Sequence, residues 1–235
     1  MQEVLTLAQD VSHPFSLAQA YLCTTMLHQL CREAHMAQKG AETLIVIAND
    51  RGFSYWVALG TSYRGWALAE QGQTEDGTQQ IQQGMAAAWT IGMELLRPHF
   101  LALLAETNGK TGQVEEGLTA LAEALGLVDK TGERFYEAEL YRLKGELTLQ
   151  SSVQSLESRV KEAERCFLQA IEIAQKQQAK SLELRATTSL ARLWQQQSKT
   201  AEAREKLAAI YNWFTEGFDT KDLQEAKALL EELGV

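Results

Sequence analysis

The sequence contains few residues that break helices or form covalent cross-links. Of its 235 residues, 2 are proline and 3 are cysteine. The scarcity of proline and the abundance of alanine, leucine, glutamine and glutamate favour helices throughout. Cys23, Cys31 and Cys166 show no paired spacing, which excludes a disulfide framework and is typical of small buried side chains in a reducing compartment. We therefore predict an all-α protein in the cytoplasm.

Long hydrophobic runs are also missing. The longest apolar run, residues 44–48, is far shorter than the roughly 20 residues that a membrane-spanning helix needs. The first residues, Met1 to Val4, carry no basic cluster of the kind that begins a secretory signal. The sequence therefore predicts neither membrane insertion nor export.

Positive charge is in deficit, with 22 basic against 31 acidic residues and a formal net charge of −9. Nucleic-acid phosphates would meet a repulsive field over most of such a surface, so nucleic acid is not an expected partner. The deficit is uneven, because residues 156–206 carry a net charge of +3.

What the sequence does contain is a repeat. Residues 71–77 return forty positions later as residues 111–117, and glycines at 52, 92 and 132 keep the same forty-residue step. Each unit holds two amphipathic helices separated by turn-forming residues, and stacked pairs of this kind bury a continuous core. The predicted fold is a right-handed α-α superhelix, a solenoid of antiparallel helix pairs with turns near Gly72, Gly112, residues 150–157 and Ser198.

The predicted organisation is a single solenoid over residues 1–235. Ser12 occupies the position that Gly52 occupies one unit later, so the chain is expected to begin inside a repeat and to be part of a longer protein. Ser16 and Gln19 have capping-box spacing and predict a helix start. The polar residues 151–155 lengthen one turn and are expected to be mobile. The predicted segments are a half repeat at 1–12, repeats at 13–52, 53–92, 93–132, 133–178 and 179–217, and a capping helix at 220–233.

Small residues recur midway in the helices, and bulky residues follow them at spacings of four. The pattern is clearest at Ala163, Phe167 and Ala170, and it resembles the tetratricopeptide repeat. The chain departs from that family in lacking most of its first-helix aromatics and its terminal proline, and its units exceed the usual length of about 34 residues. The resemblance implies paired helices whose first members line a concave groove.

Four strings carry a narrower resemblance: Arg64–Gly72, Val128–Glu133, Glu137–Glu146 and Trp213–Thr220. Together they are similar to the C-terminal helical region of bacterial signalling proteins that join a class III adenylate/guanylate cyclase to an NTPase module. This resemblance implies a regulatory role beside those modules. Neither the metal-binding aspartates of the cyclase nor the phosphate loop of the NTPase can be placed in this sequence.

Two local motifs invite a chemical interpretation and do not support one. Gly109-Lys110-Thr111 has the ending of a phosphate loop, but Leu104 stands where that motif requires glycine, and a helix precedes it. His28, Cys31 and His35 offer metal-ligand atoms, but an intervening turn separates them and no fourth ligand is evident. We predict no metal, no cofactor and no catalytic site.

The tetratricopeptide register predicts which side chains enter the groove. Its mixed charge, acidic in the middle and basic toward the C-terminal end, would suit a peptide or protein segment, and a merely solvated inner face is the alternative. The predicted binding residues are Trp66, His99, Glu106, Glu139, Arg142, Glu146, Arg185 and Arg192, and Leu59, Ser62, Ala102 and Thr188 share their register.

The leading hypothesis is therefore a non-catalytic scaffold that binds a protein segment or a neighbouring domain of its parent. A sensory module that holds a small ligand inside the superhelix is the alternative. An enzyme is disfavoured because no catalytic constellation is present.

Overall fold

The chain folds entirely into helices and turns over the part that the structure describes. In the computed structural model, which describes residues 2–11 and 13–234, there are twelve α-helices and no β-strand. They are α1 (Gln2–Val11), α2 (Pro14–Leu30), α3 (Ala34–Arg51), α4 (Ser54–Glu70), α5 (Thr74–Thr90), α6 (Arg97–Lys110), α7 (Val114–Thr131), α8 (Glu137–Gln150), α9 (Leu156–Lys176), α10 (Lys180–Gln196), α11 (Thr200–Tyr211) and α12 (Lys221–Glu232).

The start of α2 differs from its prediction. The helix predicted to begin at Ser16 begins at Pro14, after His13, so the capping box at Ser16 and Gln19 is wrong. Proline is favoured in the first turn because its missing N–H and fixed φ suit that position. Ser12, which the repeat register aligns with Gly52, lies outside the described residues.

The turns follow a twenty-residue period, which is half a repeat. Glycines adopt positive φ at 52, 72, 92, 112 and 132, with values between 68° and 89°. Arg32, Gln178 and Ser198 occupy the same left-handed conformation at equivalent turns, with φ of 61°, 55° and 62°. The longer loop around residues 151–155 shifts the register between Gly132 and Gln178. The predicted turn positions are confirmed.

The helices belong to two compact units, Met1–Thr111 with α1–α6 and Gly112–Val235 with α7–α12. The boundary falls inside the predicted repeat 93–132, between its two helices. Within each unit, sequential helices contact one another across short connections, as antiparallel neighbours do.

Each unit has two layers. In the first unit α2 contacts α4 and α4 contacts α6, and in the second α8 contacts α10 and α10 contacts α12. We call these helices the first-helix layer. The alternate helices, α1, α3, α5, α7, α9 and α11, form the second-helix layer, and within each unit they make no such contact with one another over the described residues.

Small residues allow the helix backbones to touch, as the repeat pattern predicts. A Cβ atom on Gly65 of α4 would lie 2.6 Å from the carbonyl oxygen of Gly77 in α5. A Cβ on Gly84 would lie 2.5 Å from the carbonyl oxygen of Ala58. In the second unit the ring of Phe167 fills the space beside Gly145, where an added Cβ would lie 2.5 Å from the ring. Small and large side chains thus interlock.

Candidate functional site

The predicted groove residues of the first unit lie on α4 and α6 and are largely buried. Trp66 is 1% exposed and its Nε1–H donates a hydrogen bond to Glu106 Oε2 at 3.1 Å. His99 is fully buried with its ring centroid 5.8 Å from that of Tyr63. The expectation that Trp66 projects into an open groove is therefore wrong. Neighbouring first helices pack side by side, and Glu106 on α6 satisfies the indole of α4.

Glu106 also belongs to a small charged group at the ends of α4 and α6. Lys110 Nζ pairs with Glu70, and lies 3.6 Å from Glu106 Oε1. Lys110 is part of the Gly109-Lys110-Thr111 sequence, which ends α6 and so follows a helix, whereas a phosphate loop follows a strand. This lysine therefore sits in an ion-pair group and has none of the surroundings of a phosphate loop.

In the second unit the structure brings five charged side chains together. Arg142 donates from Nη2 to Glu139 Oε1 at 2.8 Å and from Nε to Glu139 Oε2 at 3.0 Å. Arg185 of α10 donates to the same carboxylate at 3.3 Å and to Asp222 of α12 at 2.6 Å. We call this group the charged cluster; its members are Glu139, Arg142, Glu146, Arg185 and Asp222.

Glu146 connects the cluster to the surface. Its Oε1 accepts a hydrogen bond from Ser189 Oγ at 2.6 Å and one from Arg142 Nη1 at 3.3 Å. Two turns along α10 from Arg185, Arg192 pairs with Glu225 of α12 at 3.2 Å, with 46% of the arginine side chain and 30% of the glutamate side chain exposed. Glu146, Arg192 and Glu225 thus keep accessible charge on this face, and we call them the charged rim.

Glu139 and Arg185 of the cluster are held in their charged forms by each other and by their neighbours. Burial is the largest influence on Glu139 and would raise its pKa, but attraction to Arg142 and Arg185 outweighs burial and lowers the pKa to about 2. Burial likewise opposes the charge of Arg185, and the carboxylates of Glu139 and Asp222 raise its pKa well above the usual value. Each ion compensates for the desolvation of the others.

This arrangement corrects the predicted role of Arg185. Its side chain is 8% exposed and both of its carboxylate partners belong to the protein itself, so the expectation that it stands open on a groove wall is wrong. Glu139 is 3% exposed and is corrected in the same way. Helix α12 covers this end of α10. The further groove positions Leu59, Ser62, Ala102 and Thr188 are buried as well.

Three residues of this face, Asp222, Ser189 and Glu225, were not among the predicted groove residues. Asp222 and Glu225 lie on α12, outside the forty-residue register, where repeat alignment assigns no groove position. The net charge of −4 over residues 207–235 was a signal that this helix could neutralise basic residues of the preceding repeat.

Metal ligation has no visible basis in residues 2–11 and 13–234, where no three His, Cys, Asp or Glu side chains are grouped around a possible ion. His28 Nδ1 instead lies 2.5 Å from Glu33 Oε2. None of the described helices combines the length and apolar character required to cross a bilayer.

The sequence was compared with those of known proteins. No family model matches the sequence. An uncharacterized protein of Rhizobium meliloti (strain 1021) is 29% identical over 131 residues, which cover 56% of this chain and 12% of that protein. The chain therefore corresponds to a small part of this relative's length.

Two crystal structures of a kinesin light chain-like protein of Podosopora anserina, built of nearly identical TPR-like repeats, are similar in fold. One, a single-substitution variant, covers 84% of this chain and 94% of its own at a TM-score of 0.56 and 19% identity. The other covers 94% and 97% at a TM-score of 0.54 and 18% identity. The chain therefore has the fold of a tetratricopeptide-like repeat array, and the predicted all-α solenoid class is confirmed.

Proposed function

We propose that this chain is a non-catalytic scaffold that binds a protein segment through the first-helix layer of its second unit. The observation that carries the proposal is the charged rim: Glu146, Arg192 and Glu225 come from three successive first helices and keep exposed charge. Beneath them, the ion pairs among Glu139, Arg142, Arg185 and Asp222 hold α8, α10 and α12 in one arrangement. A partner would meet charges that are already positioned, which lowers the entropic cost of binding.

The partner that suits this rim is a peptide or domain surface with alternating charge. Arg192 offers a fork of donors for a carboxylate, and the two glutamates accept from basic side chains on either side. Rim charges mainly set the rate and specificity of association. A small-ligand sensor in the same layer is less well supported, because internal ion pairs fill the space beneath the rim.

We further propose that the chain is part of a longer cytoplasmic bacterial signalling protein, linked to a cyclase or an NTPase. Support comes from the four strings that resemble such proteins and from the length of the Rhizobium meliloti relative, of which this chain matches 12%. In that setting the scaffold would bind a neighbouring domain and transmit its state through changes in helix packing.

A charge-exchange experiment tests the binding proposal. Peptides are selected from a display library against the purified chain, and the affinity of a selected acidic peptide is compared for wild type, Arg192→Glu and Lys176→Glu. Lys176 is the matched control, because it is an exposed cation on the second-helix layer of the same unit. Arg185 is unsuitable for this test because its substitution would disturb the buried cluster.

We expect Arg192→Glu to weaken binding by about tenfold or more, the range of a charge-assisted contact, and Lys176→Glu to leave it unchanged. Replacing the acidic residue of the peptide by lysine should restore affinity for Arg192→Glu. Equal loss in both variants, or selection of peptides insensitive to Arg192, would show that the rim is not the binding surface.

A further inference from the structure

The second unit contains an open cavity on the opposite side of α8 from the charged rim. It has a volume of about 620 Å³ and lies between α7 and α9, with α8 as its floor and the lengthened loop of residues 151–155 at one end. A cavity of this size is within the range that holds small organic molecules. Its polar lining includes Lys144, Thr148, Ser151, Arg159, Lys161 and Arg165.

Positive charge dominates this lining. Four cations face two carboxylates, Glu115 and Glu162, and both carboxylates already have partners. Glu115 accepts a hydrogen bond from Ser151 Oγ at 2.6 Å, and Glu162 pairs with Arg165 at 2.6 Å. Lys144 lies 3.7 Å from Glu162, which is a loose contact. Lys161 pairs with Glu157 at 2.5 Å, outside the cavity lining, so Lys144 and Arg159 are the cations of the cavity that carboxylates compensate least.

Arg159 is the least compensated of these cations. Its Nη1–H groups donate to the backbone carbonyls of Leu149 and Ser151, which anchors the guanidinium at the start of the loop. The hydrogen bonds found for it among the described residues run to these neutral carbonyls, and its buried Nε has no hydrogen-bond partner there. A half-buried guanidinium held by neutral groups attracts an anion more strongly than an exposed one, since water screens it less.

A groove between second helices of the first unit differs from this cavity in charge. That groove lies between α3 and α5 over α4, has a volume of about 360 Å³, and is lined by Ala, Gly, Val, Ser, Thr, Asn and Gln side chains, with no charged residue among its described lining. The two cavities lie at opposite ends of their helices, the first at the end of α3 and the start of α4, the second at the start of α7 and the end of α8. The lengthened loop and the basic side chains of α8 and α9 distinguish the second.

We propose that the cavity between α7, α8 and α9 binds a small phosphate-bearing molecule, whose phosphate pairs with Arg159 and Lys144. A phosphate carries close to two negative charges and several acceptor oxygens, which match a lining of several cations and hydroxyl donors. The bound phosphate would join the loop to α8 and α9. This site shares no residue with the charged rim. A negative result for the phosphate site would therefore leave the proposed scaffold function untouched, and the reverse also holds.

Isothermal titration of the whole chain with inorganic pyrophosphate, at low salt, tests the assignment. The variants are Lys144→Gln and Arg159→Gln, and the control is Lys176→Gln, an exposed lysine of α9 that lies outside the cavity. Wild type and control should bind one pyrophosphate with the same affinity. Each cavity variant should bind at least about tenfold more weakly, as expected for loss of a charge-assisted contact.

Several results would overturn the proposal. These are the absence of saturable binding to wild type, equal weakening in the control, or unchanged affinity in Lys144→Gln. Because Arg159→Gln also removes the loop anchor, Lys144→Gln decides the matter if the arginine variant fails to fold. A parallel titration with citrate separates phosphate from carboxylate: citrate binding as tight as pyrophosphate would refute a phosphate site.

Discussion

Arg185 and Glu139 are 46 residues apart in sequence and meet inside the second unit, with Nη1 3.3 Å from Oε1 and both side chains less than a tenth exposed. The pair joins α10 to α8, and the second contact of Arg185, with Asp222, joins α10 to α12. Three first helices are thus held by one guanidinium. Residues that tetratricopeptide register assigns to ligand binding serve here to connect neighbouring helices.

Neutralising Glu139 should destabilise the protein strongly. Glu139→Gln removes the carboxylate that compensates two buried guanidiniums, and breaking a buried ion pair costs about 3–5 kcal/mol. Urea unfolding followed by circular dichroism measures the change. Glu172→Gln, on an exposed carboxylate that pairs with Lys176, is the control and should unfold like wild type. If the free energy of unfolding falls no more in Glu139→Gln than in the control, water reaches the cluster and screens its charges.

The same carboxylate should make stability depend on acid. Its folded pKa of about 2 lies below the usual 4.5, so its stabilising contribution is complete above pH 4.5 and disappears as the pH falls toward 2. The difference in unfolding free energy between wild type and Glu139→Gln should be constant above pH 4.5 and shrink below it. A difference that stays constant from pH 4.5 down to pH 2 would contradict a depressed pKa.

Two glycines in helices should respond in opposite ways to alanine. At Gly84 an added Cβ would meet the backbone of α4, so Gly84→Ala should destabilise by about 1–3 kcal/mol and Gly84→Leu by more. At Gly126 of α7 nothing lies within 4 Å, so Gly126→Ala should stabilise by about 0.5–1 kcal/mol through helix propensity. Thermal melts of the two variants measure both effects. Melting temperatures that change in the same direction in Gly84→Ala and Gly126→Ala would contradict the close contact between α4 and α5 at Gly84.

Glycine and non-glycine residues can be exchanged at the left-handed turns to measure what a positive φ costs. Gln178 has φ of 55° where most equivalent turns carry glycine, and a non-glycine residue there costs about 1–2 kcal/mol. Gln178→Gly should therefore stabilise by roughly 0.5–1 kcal/mol after the added flexibility of the unfolded chain is subtracted. Gly72→Ala, at φ of 89° with open space around it, should destabilise by about 1 kcal/mol. Chemical denaturation of both variants provides the measurement, and a destabilised Gln178→Gly would show that its side chain contributes more than its backbone costs.

The sequence alone determined the periodic features. Helix type, the forty-residue repeat and the turns at Gly72 and Gly112 follow from local preferences and spacing, which act over a few residues and need no knowledge of distant partners. The close approach at Gly84 followed from the same spacing, because a small residue that recurs in register between bulky ones indicates a contact between helix backbones. Pro14 was the local exception, where a proline start replaced the predicted serine cap.

The tertiary structure decided which polar residues are accessible. Register alone assigned Trp66, Glu139 and Arg185 to a groove, but burial depends on how tightly neighbouring first helices pack and on what covers them. Trp66 is buried beside α6, whose Glu106 accepts the indole hydrogen bond. Arg185 is buried beside α12, whose Asp222 accepts hydrogen bonds from the guanidinium. Such partners lie about forty residues away in sequence. A local sequence pattern therefore does not show whether a partner side chain will lie beside a given groove position in the fold. The basic cavity at Arg159 likewise required the fold, since its lining comes from three helices and a loop.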